Sequence, residues 1–282
     1  MPMRMSEVCA RCLYDRERAK TDDPAYLAEV RRIIASRDEE DAAPTLVYRF
    51  NGAYRRRFGS LPDFREIKRR YNDLVLERED VLRERIEASA APLETALAYA
   101  RVGNYIDFGA LRSVDEEKFL SLFADAALTE RDRPAMDSLL RRCATAERFL
   151  LIADNCGEIV LDKLFLEQLQ KRFPQLRPAV MVRGGEVLND ATAEDAVYAG
   201  LAAVAEVIGS GAAVPGTDCR LLSGEARSAM DRADVILAKG QGNYESLCGD
   251  GRVIFYAFLC KCDLFTRRFG VPRFTGMLLE ET

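Results

Sequence analysis

The chain changes its hydrophobic period once, near residue 148, and that change limits what it can fold into. Before it, apolar residues recur at helical spacing: P-D-F-R-E-I-K-R-R-Y-N-D-L-V-L-E from Pro62 places Phe64, Ile67, Tyr71, Leu74 and Val75 three and four residues apart, on one face of an amphipathic helix. Further helices are expected at 24–36, 80–101 and 116–128, and no strand before Arg148. Beyond it, short apolar runs at 148–153, 178–182, 203–208, 233–238 and 252–259 alternate with helix-like segments. Such alternation gives a mostly parallel sheet with helices on its faces. The expectation is an α/β protein, with a mainly helical region over 1–145 and the sheet over 146–282.

Composition then removes whole classes of chemistry. The 282 residues contain no histidine, which excludes a Ser-His-Asp triad, a Cys-His pair and every His-ligated metal site. Acid and base work must fall to Asp, Glu, Lys, Tyr, Cys or metal-bound water. A hydrophobic content of 48% is enough for a large core. No apolar run nears the roughly 18–20 residues that cross a bilayer, and M-P-M-R-M-S-E-V-C lacks a signal-peptide segment. A soluble, cytoplasmic protein with no membrane partner is expected. The Lys/Arg runs at 55–57 and 68–70 sit among acids and apolar residues, within a net charge of -5. They read as solvated helix faces, and nucleic acid is not an expected partner. Eight cysteines in such a chain fit reduced thiols better than a disulfide framework.

In open parallel sheets, ligands bind outside the carboxyl ends of the strands. The expected strands lead there into Asp154-Asn155, into Arg183-Gly184-Gly185 with Asn189-Asp190, into G-S-G-A-A-V-P-G-T at 209–217, and into K-G-Q-G-N-Y-E at 239–245. Asp154, Asn155 and Asp190 form an all-oxygen set suited to Mg²⁺ or Mn²⁺. Each has a plainer reading as a helix cap: Asn155 with Glu158 as a capping box, and Asp190 before A-T-A-E. Glu158 and Asp162 would share a helix face and repel, so a cation is expected near them, from Lys163 or an arginine elsewhere. Lys239-Gly240-Gln241-Gly242-Asn243 sets flexible backbone beside a cation, which suits a phosphate or an ordinary strand-to-helix turn. G-S-G-A-A-V makes a poor dinucleotide fingerprint, because Val214 stands where a third Gly or Ala is expected.

V-G-N-Y-I-D-F-G (102–109), D-N-C-G-E-I-V-L-D (154–162), N-D-A-T (189–192) and K-G-Q-G-N-Y-E-S-L (239–247), in that order, resemble the damage-control phosphatase family, also known as domain of unknown function eighty-nine. C-A-R-C (9–12), P-D-F-R-E-I-K-R-R-Y-N and F-L-C-K-C (258–262) are similar to its stand-alone, cysteine-bearing prokaryotic branch. The resemblance implies a helical N-terminal region packed on a Rossmann-like domain. It further implies a phosphatase that uses a divalent ion (Mg²⁺, Mn²⁺, Co²⁺ or Ni²⁺) on small phosphorylated metabolites such as sugar phosphates. By motif, Asp154, Asn155 and Asp190 match the family's metal ligands, and Lys239, Gly240 and Asn243 match its substrate-phosphate loop. Asn104 and Asp107 fall in a motif that lines the site. Glu158, Arg183 and Lys261 complete the expected substrate-binding set, although Leu259 stands where the family often has a lysine, so that Lys261 would serve instead.

On that reading the ion neutralises a phosphate oxygen and lowers the pKa of a bound water, while Lys239 and loop amides stabilise the phosphoryl charge. Direct attack by Asp154 on phosphorus is the other route. Two rival functions use the same features: a nucleotide-binding oxidoreductase or transferase, and a non-catalytic metal- or redox-sensing module. The second would rest on Cys9, Cys12, Cys260 and Cys262, either as a four-thiolate zinc site or as packed or redox-active thiols. Cys156, inside the metal motif, is a candidate for oxidant sensitivity.

Overall fold

A computed structural model describes residue 3 and residues 5–106, 117, 121–124 and 126–282. Six strands form one sheet: β1 (Arg148–Ile152), β2 (Arg177–Val182), β3 (Glu206–Gly209), β4 (Val235–Lys239), β5 (Ile254–Leu259) and β6 (Gly276–Glu281), in the order β3-β2-β1-β4-β5-β6. The first five are mutually parallel and β6 runs antiparallel along β5. β1 pairs with β2 on one side and β4 on the other. The chain therefore winds outward twice from the centre, and its topological switch lies between β1 and β4, where such sheets open a ligand crevice.

The strands read as unbroken apolar runs because both faces of the sheet are covered. Phe149 and Leu151 point into one core with Val180, Leu237 and Phe255, while Leu150 and Ile152 point into the opposite one with Met181, Ile236 and Phe258, as the two-residue period of a strand requires. The first core is closed by α4 (Arg65–Leu76), α5 (Glu79–Ala88), α6 (Pro92–Gly103), α7 (Arg133–Cys143) and α8 (Glu158–Arg172), the helix after β1. The second is closed by α10 (Gly224–Arg232), α11 (Gly240–Leu247) and α12 (Asp263–Phe269); the short α9 (Ala193–Tyr198) follows β2. α1 (Glu7–Lys20), α2 (Pro24–Ala35) and α3 (Ala43–Phe58) build a separate small core around Tyr26, Val30, Leu46 and Phe50.

Two sequence expectations change. The helix expected over 80–101 is two helices, because Pro92 has no N–H to continue α5 and instead occupies the first turn of α6. β6 was absent from the expected strands: its run is short and two of its six residues are glutamates, since it is the sheet's edge. Of the helix expected at 116–128, residues 116, 118–120 and 125 lie outside the described residues; 117 and 121 are helical, whereas 122–124 form a turn and 126–128 are irregular. Among the described residues the first strand begins at Arg148, and no helix is long and apolar enough to cross a membrane.

The contact that matters most for the site is between α6 and α8. A Cβ on Gly103 would stand 2.7 Å from Leu161 Cδ1 and 3.0 Å from Glu158 Cα. Only glycine lets the end of α6 approach so closely, and the next residue, Asn104, thereby reaches the carboxyl end of β1.

Candidate functional site

β1 ends at Ile152, and the chain runs through Ala153 into Asp154 and Asn155 at the sheet's carboxyl rim. The segment after β2 is brought alongside by backbone bonds: Ala191 N–H donates to Asp154 O at 2.8 Å, and Cys156 N–H to Asn189 O at 2.9 Å. Asn155 and Asp190 form an antiparallel bridge. Residues from two strand ends, 36 positions apart for Asp154 and Asp190 by their numbers in the chain, are thus held side by side.

Arg183, only 2% exposed, fixes the pair from behind. Its Nη2 donates to Asp154 Oδ1 at 2.9 Å and its Nε to Asp190 Oδ2 at 2.6 Å. Its Nη1 is spent on Gly216 O at 2.9 Å and Asn243 Oδ1 at 3.1 Å. The planar guanidinium suits this task, since its donors leave in fixed directions. Asp154 Oδ2 accepts from Asn104 Nδ2 at 2.9 Å and Asn155 Nδ2 at 2.8 Å. The Asn155 amide nitrogen also reaches Glu158 Oε2 at 3.1 Å, which leaves the amide oxygen as the Asn155 group able to coordinate. Asp154, Asn155 and Asp190 border a cleft of about 410 Å³, together with Lys261, Gln241 and Gly242.

The capping alternatives hold only in part. The N-cap of α8 is Gly157, without a side-chain cap, yet Glu158 Oε2 accepts from Asn155 N–H at 3.3 Å, the glutamate half of the expected capping box, while the Asn155 side chain donates to Asp154 and Glu158. α9 is capped by a Thr192–Asp195 capping box, not by Asp190.

An all-oxygen set of two carboxylates and one amide oxygen fits a hard divalent ion. Arg183 brings one positive charge against two carboxylates, so the pair keeps a net negative charge toward the cleft. Among the described residues no three His, Cys, Asp or Glu side chains gather as a metal-holding group, and the candidate site depends on the asparagine as its third ligand.

The family model described as the damage-control phosphatase ARMT1-like domain matches residues 1–275. The chain belongs to that family. It is 30% identical to a damage-control phosphatase of Archaeoglobus fulgidus, over 95% of this chain and 96% of that one. It is 29% identical to a damage-control phosphatase of Pyrococcus horikoshii, over 86% and 83%. A crystal structure of a domain-of-unknown-function-eighty-nine protein from Pyrococcus horikoshii matches with a TM-score of 0.83 at 25% identity, covering 99% of this chain and 100% of the other.

Within this family fold, several residues expected to touch substrate lie elsewhere. Lys239 is fully buried beneath the floor: its Nζ donates to Glu158 Oε1 at 2.7 Å, Asp162 Oδ1 at 2.6 Å and Ala100 O at 2.9 Å. An ammonium has three donors, and all three are taken, so the phosphate-loop role expected for Lys239 is corrected to a structural one. Lys239 is also the cation that Glu158 and Asp162 called for. Lys163 is not, since it binds Glu79 and Ala199 O. Burial acts to lower the Lys239 pKa, but Asp162 and Glu158 outweigh it and the net shift is upward. Burial does the reverse to Asp162 and, helped by Glu158 against Lys239, pushes it up to about 7.

Glu158 is likewise corrected, being buried against Lys239, Asn155 and Asn104. Arg183 and Asn104 hold carboxylates instead of lining the cleft. Asn243 is spent on Arg183, Thr217, Ala153 O and Lys239 O. Gly240, with φ +80, lies against the Asp154 carboxylate. Lys261 does border the cleft, and Asp107 lies outside the described residues.

The sequence pattern gave no warning that α1 and α3 wall the cleft, through Cys9, Arg16 and Pro44, or that Arg273 joins them. Asn72, whose Oδ1 accepts Gly157 N–H at 2.7 Å, sits in the quoted R-R-Y-N motif and could have been found there. The four-thiolate zinc site is corrected: Cys260 is buried in the sheet core, where burial pushes its thiol up to about 12, while Cys9, Cys12 and Cys262 border the cleft. The nucleotide reading loses its support, because the glycine loop follows β3 and not β1. That loop's groups are spent internally, Gly184 N–H on Ser210 Oγ at 2.9 Å and Ser223 N–H on Ser210 O at 2.9 Å.

Proposed function

We propose that the chain is a divalent-metal-dependent phosphatase that hydrolyses phosphomonoesters of small metabolites, sugar phosphates among them, in the cytoplasm. The observation that carries this reading is the convergence of Asp154, Asn155 and Asp190 on one cleft, with both carboxylates held by Arg183. The names of the Archaeoglobus and Pyrococcus relatives support phosphatase chemistry. Asp154, Asn155 and Asp190 would hold Mg²⁺, Mn²⁺, Co²⁺ or Ni²⁺, which as a bound Lewis acid neutralises phosphate charge and acidifies water.

The chain's own residues set the rest. Lys261 is one of the cations that border the cleft, with Arg16 and Arg273, and replaces Lys239 as the proposed partner of the phosphate. Gln241 and Gly242, in the first turn of α11, border the same space, and the unpaired amides of a helix start suit an anion. Arg183 and Asn104 keep Asp154 oriented so that it need not reorganise during reaction. Residues 146–282 supply the carboxylates, and 1–145 supply the outer wall.

The test is a panel of sugar phosphates and an aryl phosphate, run with each of the four metals and after exhaustive chelation. Turnover that needs metal and returns on its addition is expected. Full turnover in chelator would overturn the metal role, and no turnover on any ester with any metal would overturn the phosphatase reading.

A further inference from the structure

Three thiols border the cleft. Cys9 and Cys12 come from α1, and Cys262 from the segment that leads β5 into α12; all three border the cleft that holds Asp154, Asn155 and Asp190. The other five are placed differently: Cys143, Cys156 and Cys260 are buried, and Cys219 and Cys248 donate to Asp250 and Glu281. Cys9 is half-buried and within electrostatic reach of Glu245 and Cys262. Burial does most to raise its pKa, Ser6 opposes this, and Glu245 and Cys262 add to it. Cys262 Sγ accepts only a weak contact from Gln241 Nε2 at 3.7 Å.

The two thiols belong to separately packed parts. α1 shares a small core with α2 and α3, whereas Cys262 packs with the sheet core of β5 and α12. A bond between them would tie the helical wall to the strand side, across the cleft they both border.

We infer that Cys9 and Cys262 are a thiol modification site that closes the cleft as a reversible disulfide when a peroxide is present. The consequence for turnover rests on the phosphatase reading; the bond itself does not. The thiolate is the nucleophile toward peroxide. One of the two sulfurs attacks the peroxide O–O bond, giving a sulfenic acid and one water. The other sulfur then displaces the sulfenic hydroxyl, forming the S–S bond and a second water. Two thiols have lost two electrons to one peroxide. A small dithiol reverses the change by exchange, as suits a transient disulfide in a reducing compartment.

The test uses the whole metal-loaded protein treated with hydrogen peroxide, alkylated and mapped by peptide mass, with turnover and Mn²⁺ binding followed in parallel. A Cys9–Cys262 cross-link is expected, with loss of most turnover and recovery in dithiothreitol. Cys9→Ser and Cys262→Ser should keep the parent's turnover and melting temperature and resist this reversible loss. A cross-link through Cys12, no cross-link at all, zinc held by the reduced thiols, or a cross-linked protein with full turnover would each overturn the inference. A parent without phosphatase activity would defeat the functional reading alone, since mapping and Mn²⁺ access still decide whether the bond forms and closes the cleft.

Discussion

A Cβ built on Gly240 would stand 1.9 Å from Asp154 Oδ2 and 2.3 Å from its Cγ, with a backbone φ of +80 that side chains rarely adopt. The first glycine after β4 is thus what allows the carboxylate at the end of β1 to lie across the switch point. Gly240→Ala meets both obstacles together. The strained backbone should cost roughly 1–3 kcal/mol of stability, and Asp154 should be pushed out of line with Asp190. Denaturant unfolding and Mn²⁺ titration of the variant check this. Unchanged metal affinity would place the ion elsewhere.

Lys239 should behave as a keystone of the fold and not as a substrate ligand. Lys239→Ala leaves Glu158 and Asp162 facing each other, both fully buried, without their cation. Removing one partner from a buried ion cluster costs about 3–5 kcal/mol. The variant is expected to melt far below the parent and to lose turnover through unfolding. A stable Lys239→Ala protein with a raised KM would restore the phosphate-loop role that its buried position argues against.

Asp162 gives the stability a pH dependence of definite sign. Burial raises its folded pKa from 3.8 to about 7, with Glu158 adding to the rise and Lys239 opposing it, and its Oδ2 has no hydrogen-bond partner. The folded protein then binds a proton that the unfolded chain releases between these values, so this contribution is complete below about pH 4 and is lost as pH rises through 7. Asp162→Asn, neutral at every pH, should flatten the fall in stability between pH 4 and 7. Urea melts at several pH values measure the slope; equal slopes in parent and variant would remove Asp162 as its source.

The fold was legible because parallel strands buried on both faces must be apolar throughout, and five runs from Phe149 onward announce themselves. β6 was not, because an edge strand with Glu280 and Glu281 carries no such signature. That Asp154, Asn155 and Asp190 meet at one cleft was legible from their place at strand ends. What each cation does was not, for a reason that lies in the third dimension. Lys239 and Arg183 both follow or end strands at the rim, and residue type alone cannot tell an ammonium turned into the protein from one turned to the cleft. Only the closeness of α6 and α8 at Gly103 shows that Lys239 faces Glu158, Asp162 and Ala100 O. The cleft wall was hidden too, because Cys9, Arg16 and Arg273 come from segments far from Asp154 in sequence.

Asp154 is the residue whose replacement should separate metal chemistry from structure most sharply. Its Oδ1 accepts from Arg183, and its Oδ2 from Asn104 and Asn155. Asparagine keeps the shape but offers one oxygen and one NH₂, so whichever way it turns, a donor meets a donor. That mismatch should cost about 1–3 kcal/mol, more than a capping aspartate would lose, since asparagine caps as well as aspartate. The charge opposite Arg183 disappears as well, and the trio is left with Asp190 as its only carboxylate. Asp154→Asn should therefore remain folded with a modestly lower melting temperature, bind Mn²⁺ much more weakly, and lose nearly all turnover. Asp190→Asn, which keeps Asp154 in place, should weaken metal binding while sparing the contacts to Asn104 and Asn155. Calorimetric metal titration beside thermal melting and turnover decides the matter. If both variants bind Mn²⁺ as the parent does, the carboxylates serve only as partners of Arg183, and the cleft must find its electrophile elsewhere.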